Sequence, residues 1–286
     1  MSELILPNLP VLGLVDFSFI GSHAAWGFDA CADGVKPTLF EWSRDLNGDN
    51  DIVVFTDKGL TEHHIRNVKA NKKIGLIIEP WCIDGATYRN ILHIENELDL
   101  ILTYDDQLLQ RGSKYAKYVI GSCRIAPHDR KIHSKTKDIS IIASHKRWTR
   151  GHKLRHEIIG RVGDKLDAWG HDYRKLDNKI HALRDYRFSI CVINEQINNY
   201  FTEILVDCIL TGGVPIFWGC PNVSEYFDIR GLLQFNSIEE LEMIVSNTSE
   251  ELYAQMLPYL EKNFELAKDY ISTDDYVYKT IKGRIG

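Results

Sequence analysis

Short apolar runs of strand length alternate along this chain with longer stretches whose apolar positions recur at helical spacing. That alternation predicts βα units arranged around parallel sheets. In the first half, Val11–Val15, Ile52–Phe55, Ile74–Ile78 and Leu98–Leu102 predict strands, with a last short one at Lys117–Ile120. Leu60–Asn71 and Tyr88–Glu97 predict helices between them. Pro127–Asp138 is polar and basic, has no hydrophobic period and reads as a linker. The pattern then restarts. Ile139–Ala143, Phe188–Ile193 and Val214–Trp218 predict strands, and Gly151–Val162, Thr202–Leu210, Ile238–Asn247 and Glu250–Tyr270 predict helices. Gly212-Gly213 is a helix stop. The last of these helices is expected to cross back onto the first domain.

Two such series in 286 residues imply two α/β domains, residues 1–130 and 131–286. Open α/β sheets bind ligands at the carboxyl ends of their strands, so two of them are expected to share a cleft. A composition 44% hydrophobic and 26% charged supports packed cores. The net charge of −6 argues against nucleic acid as a partner. The six cysteines form no CxxC pair and lie in apolar stretches. They read as buried free thiols in a reducing, cytoplasmic compartment rather than as a zinc site. No apolar run is long enough for a transmembrane helix, and Met-Ser-Glu does not begin a signal peptide. Asp49-Asn-Asp51 has the spacing of a metal-binding acid pair but sits in a hydrophilic Gly-Asp-Asn turn, so no metal is assigned.

Three strand ends carry chemistry. Ser144-His-Lys-Arg-Trp-Thr-Arg-Gly-His-Lys-Leu-Arg155 follows a strand and opens a helix, and holds five Lys or Arg and two His within twelve residues. Helix N-termini and arginines bind phosphate, so Ser144, Lys146, Arg147 and Arg155 are candidates for an anion site. A solvated basic loop is the plain alternative. Asn194-Glu-Gln-Ile-Asn-Asn-Tyr-Phe-Thr-Glu203 again joins a buried strand to a helix. There Asn194, Tyr200, Thr202 and Glu203 offer donors, acceptors and a carboxylate suited to ribose hydroxyls, although a first-turn Glu also stabilises a helix by itself. Glu79 ends an apolar strand before Pro80-Trp81. A half-buried carboxyl there is expected to have a raised pKa, as a general base needs, with a helix cap or loop salt bridge as the alternative.

The stretch Tyr186–Phe227 resembles the donor domain of the α-1,3-fucosyltransferases, glycosyltransferase family ten. The likeness rests on Tyr186-Arg-Phe-Ser-Ile-Cys191, then Asn194, Tyr200-Phe-Thr-Glu203 and Gly213-Val-Pro-Ile-Phe-Trp-Gly-Cys-Pro221. Weaker likeness covers Ile139–Val162 and Lys73–Asp105, where Leu98-Asp-Leu-Ile-Leu-Thr-Tyr-Asp105 follows the acid-Pro element. The first seventy residues match only in general plan.

The resemblance implies a GT-B fold of two Rossmann-like domains and an inverting, metal-free glycosyltransferase. A nucleotide sugar, GDP-fucose, would be the donor and a glycan or glycoconjugate hydroxyl the acceptor. It implies Glu203 as the ribose-binding acid, Asn194 and Tyr200 as nucleotide-sugar contacts, Arg155 as the diphosphate arginine and Glu79 as the base. The sequence departs from the family where Ile204 stands in place of a diphosphate-binding Lys and Ile193 alters the EN pair. The lost ammonium is worth about 1.5–3 kcal/mol unless another cation replaces it. The basic segment Lys146–Arg155 is one such source. Another nucleotide sugar, such as UDP-xylose, and a non-catalytic nucleotide-sugar binder are the alternatives. No GxGxxG follows a predicted strand, which disfavours a dinucleotide-dependent oxidoreductase.

Overall fold

Runs such as Ile74-Gly-Leu-Ile-Ile78 and Val214-Pro-Ile-Phe-Trp218 are buried throughout, which is the state of a parallel strand covered on both faces. The structure, a computed structural model, describes residues 9–17, 36–48 and 50–285. These fall into two units: residues 9–17, 36–118 and 273–285 form the first, and residues 119–272 the second. Asp49 and Cys31 lie outside the described residues.

The first unit contains β1 (Val11–Val15), β2 (Glu41–Ser43), β3 (Asn50–Thr56), α1 (Glu62–Asn67), β4 (Ala70–Leu76), α2 (Trp81–Ile94), β5 (Leu100–Thr103), α3 (Asp106–Leu109) and β6 (Tyr115–Lys117). Its sheet is parallel throughout, in the order β2-β1-β3-β4-β5-β6. Val53, Phe55, Ile65, Ile91 and Ile101 pack into its core. The second unit contains β7 (Lys137–Ile142), α4 (Arg150–Val162), β8 (Asp167–Trp169), β9 (Tyr186–Val192), α5 (Glu203–Leu210), β10 (Val214–Trp218), β11 (Leu233–Gln234), α6 (Ile238–Asn247) and α7 (Glu250–Ala267). Its parallel sheet runs β11-β10-β9-β7-β8. That order reverses between β7 and β9, the switch point at which doubly wound sheets bind ligands. Both units are Rossmann-like α/β structures.

The change of unit falls after Tyr118, earlier than the expected boundary at 130. The polar stretch 127–138 is no linker. Lys135 donates to the carbonyls of Arg184 and Thr211, and Arg130 to that of Ile125, so basic side chains tie it into the second unit. The expected crossing helix, Glu250–Tyr270, stays there as α7. The chain returns to the first unit through α8 (Thr273–Ile285), whose Asp275 accepts hydrogen bonds from Thr38 and Leu39.

Other differences have local causes. The helix expected at Leu60–Asn71 stops at Asn67, because the chain is already extended at Val68 and joins the sheet at Ala70. Helix α2 starts at Trp81 rather than Tyr88, with Pro80 at its N-cap and a non-helical turn at Asp84. The edge strands β2, β8 and β11 are two or three residues long and carry no apolar run to announce them.

Candidate functional site

At the switch point of the second unit, α4 drives its N-terminus into the loop that follows β9. Gly151 makes the approach possible: a Cβ there would lie 1.7 Å from the carbonyl oxygen of Ile193. Its own N–H donates to the Asn194 carbonyl at 3.0 Å. One turn on, Arg155 is only 7% exposed and directs Nε and Nη2 onto the Val192 carbonyl at 2.9 and 2.5 Å. Burial lowers the pKa of this guanidinium, and the carboxylate of Glu203 works against that. Its Nη1 has no hydrogen-bond partner among the described residues. The two strand-to-helix junctions thus meet within one unit.

The first turn of α4 is not an open anion nest. The His152 N–H is taken by the Thr149 hydroxyl, the Lys153 N–H by the Thr149 carbonyl, and the Thr149 N–H in turn donates to His152 Nδ1. Burial, then Arg155, Lys146 and His156, push His152 down to about 4, so it is neutral at physiological pH. Positive charge at this edge therefore comes from side chains. Lys146 and Arg147 are exposed on the approach, with Lys146 Nζ 5.3 Å from the Trp148 ring. The Ser144 hydroxyl accepts the Lys146 N–H and turns that loop.

In the loop after β9 the side-chain amide of Asn194 is half-buried and has no partner among the described residues. Asn199 takes a left-handed conformation, φ 62°, which asparagine tolerates. Its Oδ1 accepts from Asn222 and Tyr226 at 2.9 and 2.6 Å. This pinned turn sends Tyr200 and Phe201 into the core. Tyr200 therefore backs Arg155, within its electrostatic reach, from a fully buried position. Thr202 is the N-cap of α5, accepting the Ile204 N–H.

Glu203 opens α5 at 14% side-chain exposure and lies amid cations that the sequence reading missed. Lys179 Nζ lies 3.6 Å and Arg124 Nε 3.9 Å from its Oε1. Lys179, 18% exposed, also pairs with the fully buried Asp207 at 2.6 Å, and the other oxygen of Asp207 accepts the Arg124 N–H at 2.7 Å. Burial alone would raise the Glu203 carboxyl. Lys179, Arg124, the Thr202 hydroxyl and Arg155 outweigh it and hold the group down to about 2. The cations at this carboxylate are thus Lys179, Arg124 and Arg155 rather than the exposed part of the basic loop. The sequence did carry one sign of this. Asp207 sits one turn after Glu203 on an otherwise apolar helix, and two buried acids on one face require a cation. Nothing in the sequence singled out Lys179.

Glu79 belongs to the first unit, at the carboxyl end of β4. Its backbone is fixed from two sides. The Tyr118, Tyr104 and Tyr88 hydroxyls donate to the successive carbonyls of Ile77, Ile78 and Glu79, at 2.6, 3.0 and 3.4 Å. The carboxyl of Asp57 accepts the N–H groups of Ile78 and Glu79, at 2.8 and 3.3 Å. Asp57 is 2% exposed and has a left-handed φ of 36°. Burial pushes its carboxyl up to about 8 against the Ile78 N–H, with the charge of Glu79 adding to the rise. Asp57 is thus a carboxyl of this turn with a raised pKa, and sequence reading did not select it.

No family model matches the chain. The α-(1,3)-fucosyltransferase FucT of Helicobacter pylori is 24% identical over 104 residues, 36% of this chain and 22% of that protein. A putative fucosyltransferase-like protein of Arabidopsis thaliana is 28% identical over 92 residues, 31% of this chain and 18% of that protein. The chain resembles the α-1,3-fucosyltransferases. Its matches span about a fifth of the length of these curated relatives. The crystal structure of an α1,3-fucosyltransferase with GDP superposes with a TM-score of 0.59 at 15% identity, covering 100% of this chain and 93% of that one. A mutant of T4 phage BGT, in complex with UDP-glucose, gives 0.50 at 10% identity over 97% of this chain and 100% of that one. The fold of the chain is therefore GT-B. Among the described residues no helix is long and apolar enough to cross a membrane.

Proposed function

We propose that the chain is an inverting, metal-independent glycosyltransferase that moves a sugar from a nucleotide-sugar donor to a hydroxyl of a glycan acceptor. GDP-fucose is the donor this likeness favours. One observation carries the reading: Arg155, Asn194 and Glu203 meet at the switch point of the second unit, where a doubly wound sheet takes its ligand.

Each group has a role that follows from its surroundings. Glu203, held at about 2, is a carboxylate at any physiological pH and accepts the ribose hydroxyls. Asn194 adds an uncommitted amide. Arg155 turns its free Nη1 to the diphosphate, with Lys146 and Arg147 as further cations. Glu79 is the general base: it takes the acceptor O–H proton as the new bond to the anomeric carbon forms. The bond from that carbon to the diphosphate oxygen breaks on the opposite face, and its electron pair leaves with the diphosphate. Charge developing there is what the second unit's cations stabilise. Buried free cysteines, Cys123, Cys191, Cys208 and Cys220, favour a cytoplasmic setting.

Ile204 favours a second reading, in which the donor is a UDP-sugar. Thermal shift separates the two: GDP raises the melting temperature under the first, UDP under the second. The decisive experiment is turnover of a nucleotide-sugar panel. We expect a GDP-sugar to be consumed, and Glu79→Gln to slow transfer about 10²–10⁴-fold with the melting temperature unchanged. Failure of every nucleoside diphosphate and its sugar to bind at millimolar concentration would end the proposal.

A further inference from the structure

The segment that joins β7 to α4 exposes His145, Lys146, Arg147 and Trp148 in succession. Trp148 is 61% exposed, so most of its indole lies in water. Its neighbours fix it there: the His152 ring sits edge-on at a centroid distance of 5.3 Å, and Lys146 Nζ lies 5.3 Å from its centre. A single exposed apolar residue means little by itself. Here the charge around it is one-sided. Between Ser144 and His156 there are five Lys or Arg and no Asp or Glu, in a chain of net charge −6. Lys146, Arg147, Arg150 and Lys153 are exposed. Arg150 is matched by Glu195 at 3.1 Å, whereas Lys146, Arg147 and Lys153 make no ion pair among the described residues. The turn after β8 extends the same face, with the His171 ring 5.1 Å from that of His145. Asp172 in that turn is already taken by His171 at 3.1 Å. That bond, then Arg147 and His145, holds its carboxyl below the ordinary value.

These features select the partner. An indole among cations matches a bilayer surface, where indoles lodge at headgroup level and Lys and Arg meet acidic headgroups. A nucleic-acid strand is tracked by cations spread along a groove, whereas these gather about one ring. Free phosphate would use the cations and leave the indole in water. We infer that the β7–α4 loop is a peripheral docking surface for an anionic membrane, with Trp148 as the interfacial anchor and Lys146, Arg147 and Lys153 as the headgroup contacts. The inference goes beyond glycosyl transfer and does not depend on the donor assignment. That assignment uses Lys146 and Arg147 but leaves Trp148 and Lys153 aside, so these two carry the test.

Co-sedimentation with vesicles tests it, using phosphatidylcholine alone and phosphatidylcholine with phosphatidylserine in equal parts. The chain should pellet with the mixed vesicles at low salt, despite its net negative charge, and stay in solution with phosphatidylcholine alone. Added salt should release it. Trp148→Ala and Lys153→Glu should each weaken binding to the mixed vesicles about tenfold, and Trp148→Phe should restore most of what Trp148→Ala loses. Because both side chains are exposed, the melting temperature should not move in any of the three. GDP binding, read by calorimetry on the same samples, should also be unaffected. No pelleting with the mixed vesicles, or pelleting that survives Trp148→Ala, would overturn the inference. So would retention of a polyuridylate strand in place of vesicles, which would make the loop a nucleic-acid contact. A Trp148→Ala variant that loses GDP and keeps the vesicles would likewise overturn it, by giving the indole to the donor.

Discussion

The two strand ends singled out by their carboxylates are held by opposite means. Around Glu79 the first unit uses hydrogen bonds to the backbone: three tyrosine hydroxyls on consecutive carbonyls, and the Asp57 carboxyl on the amides. Around Glu203 the second unit uses charge, with Lys179 and Arg124 set against two acids on one helix face. The difference suits the two tasks proposed. A base must take up and release a proton in each cycle from a fixed position, which the bonds to the backbone on either side of Glu79 provide. A group that receives sugar hydroxyls must never protonate, and neighbouring cations ensure that.

The comparison breaks most sharply at Lys179. Lys179→Met leaves Glu203 and Asp207 together without the ammonium they share. Urea unfolding should show a loss of about 3–5 kcal/mol. The double variant Lys179→Met/Asp207→Asn should recover much of it, since one acid beside Arg124 is tolerable. If the single variant keeps wild-type stability, charge is not what holds this junction.

A smaller effect is expected at Gly151. Gly151→Ala places a methyl group 1.7 Å from the Ile193 oxygen and pushes α4 away from the β9 loop. A cost of about 1–3 kcal/mol is expected, together with weaker GDP binding, because Arg155 moves with the helix. Unchanged GDP affinity would show that the contact is packing alone.

Taken over a single pH unit, the smallest effect belongs to the first unit, and its sign follows from Asp57. The carboxyl titrates near 8 in the folded chain against an ordinary 3.8, so its contribution to stability is complete below about pH 4. It is lost progressively as pH rises to 8, at about 1 kcal/mol per pH unit. Asp57→Asn, which mimics the protonated acid and still accepts the Ile78 N–H, should flatten that slope in unfolding measured across this range. An equal slope in the variant would place the titration elsewhere.

Much of this was legible in the sequence, for identifiable reasons. Val11–Val15, Val214–Trp218 and Ile238–Asn247 were read to the residue because each is an apolar or amphipathic block with a polar boundary. The junctions at Arg155, Asn194 and Glu203 could be found because charged and amide groups at strand ends stand out against buried strands. What stayed hidden depends on distance along the chain. Lys179 reaches Glu203 from a 3-10 turn with no motif of its own, and Asp57 reaches Glu79 across 22 positions. The edge strands and α8 were missed because their burial depends on neighbours far away in the sequence. Tyr200 was assigned to a binding surface, but the Asn199–Asn222 pairing turns it inward.

One titration bears on the centre of this account. Calorimetry of GDP into the wild-type chain and into Glu203→Gln should give binding in the first and a loss of about tenfold or more in the second, with both proteins melting cooperatively. Equal affinity in the two, or no heat from GDP or UDP with the wild type, would contradict the claim that the second unit grips a nucleotide through this carboxylate.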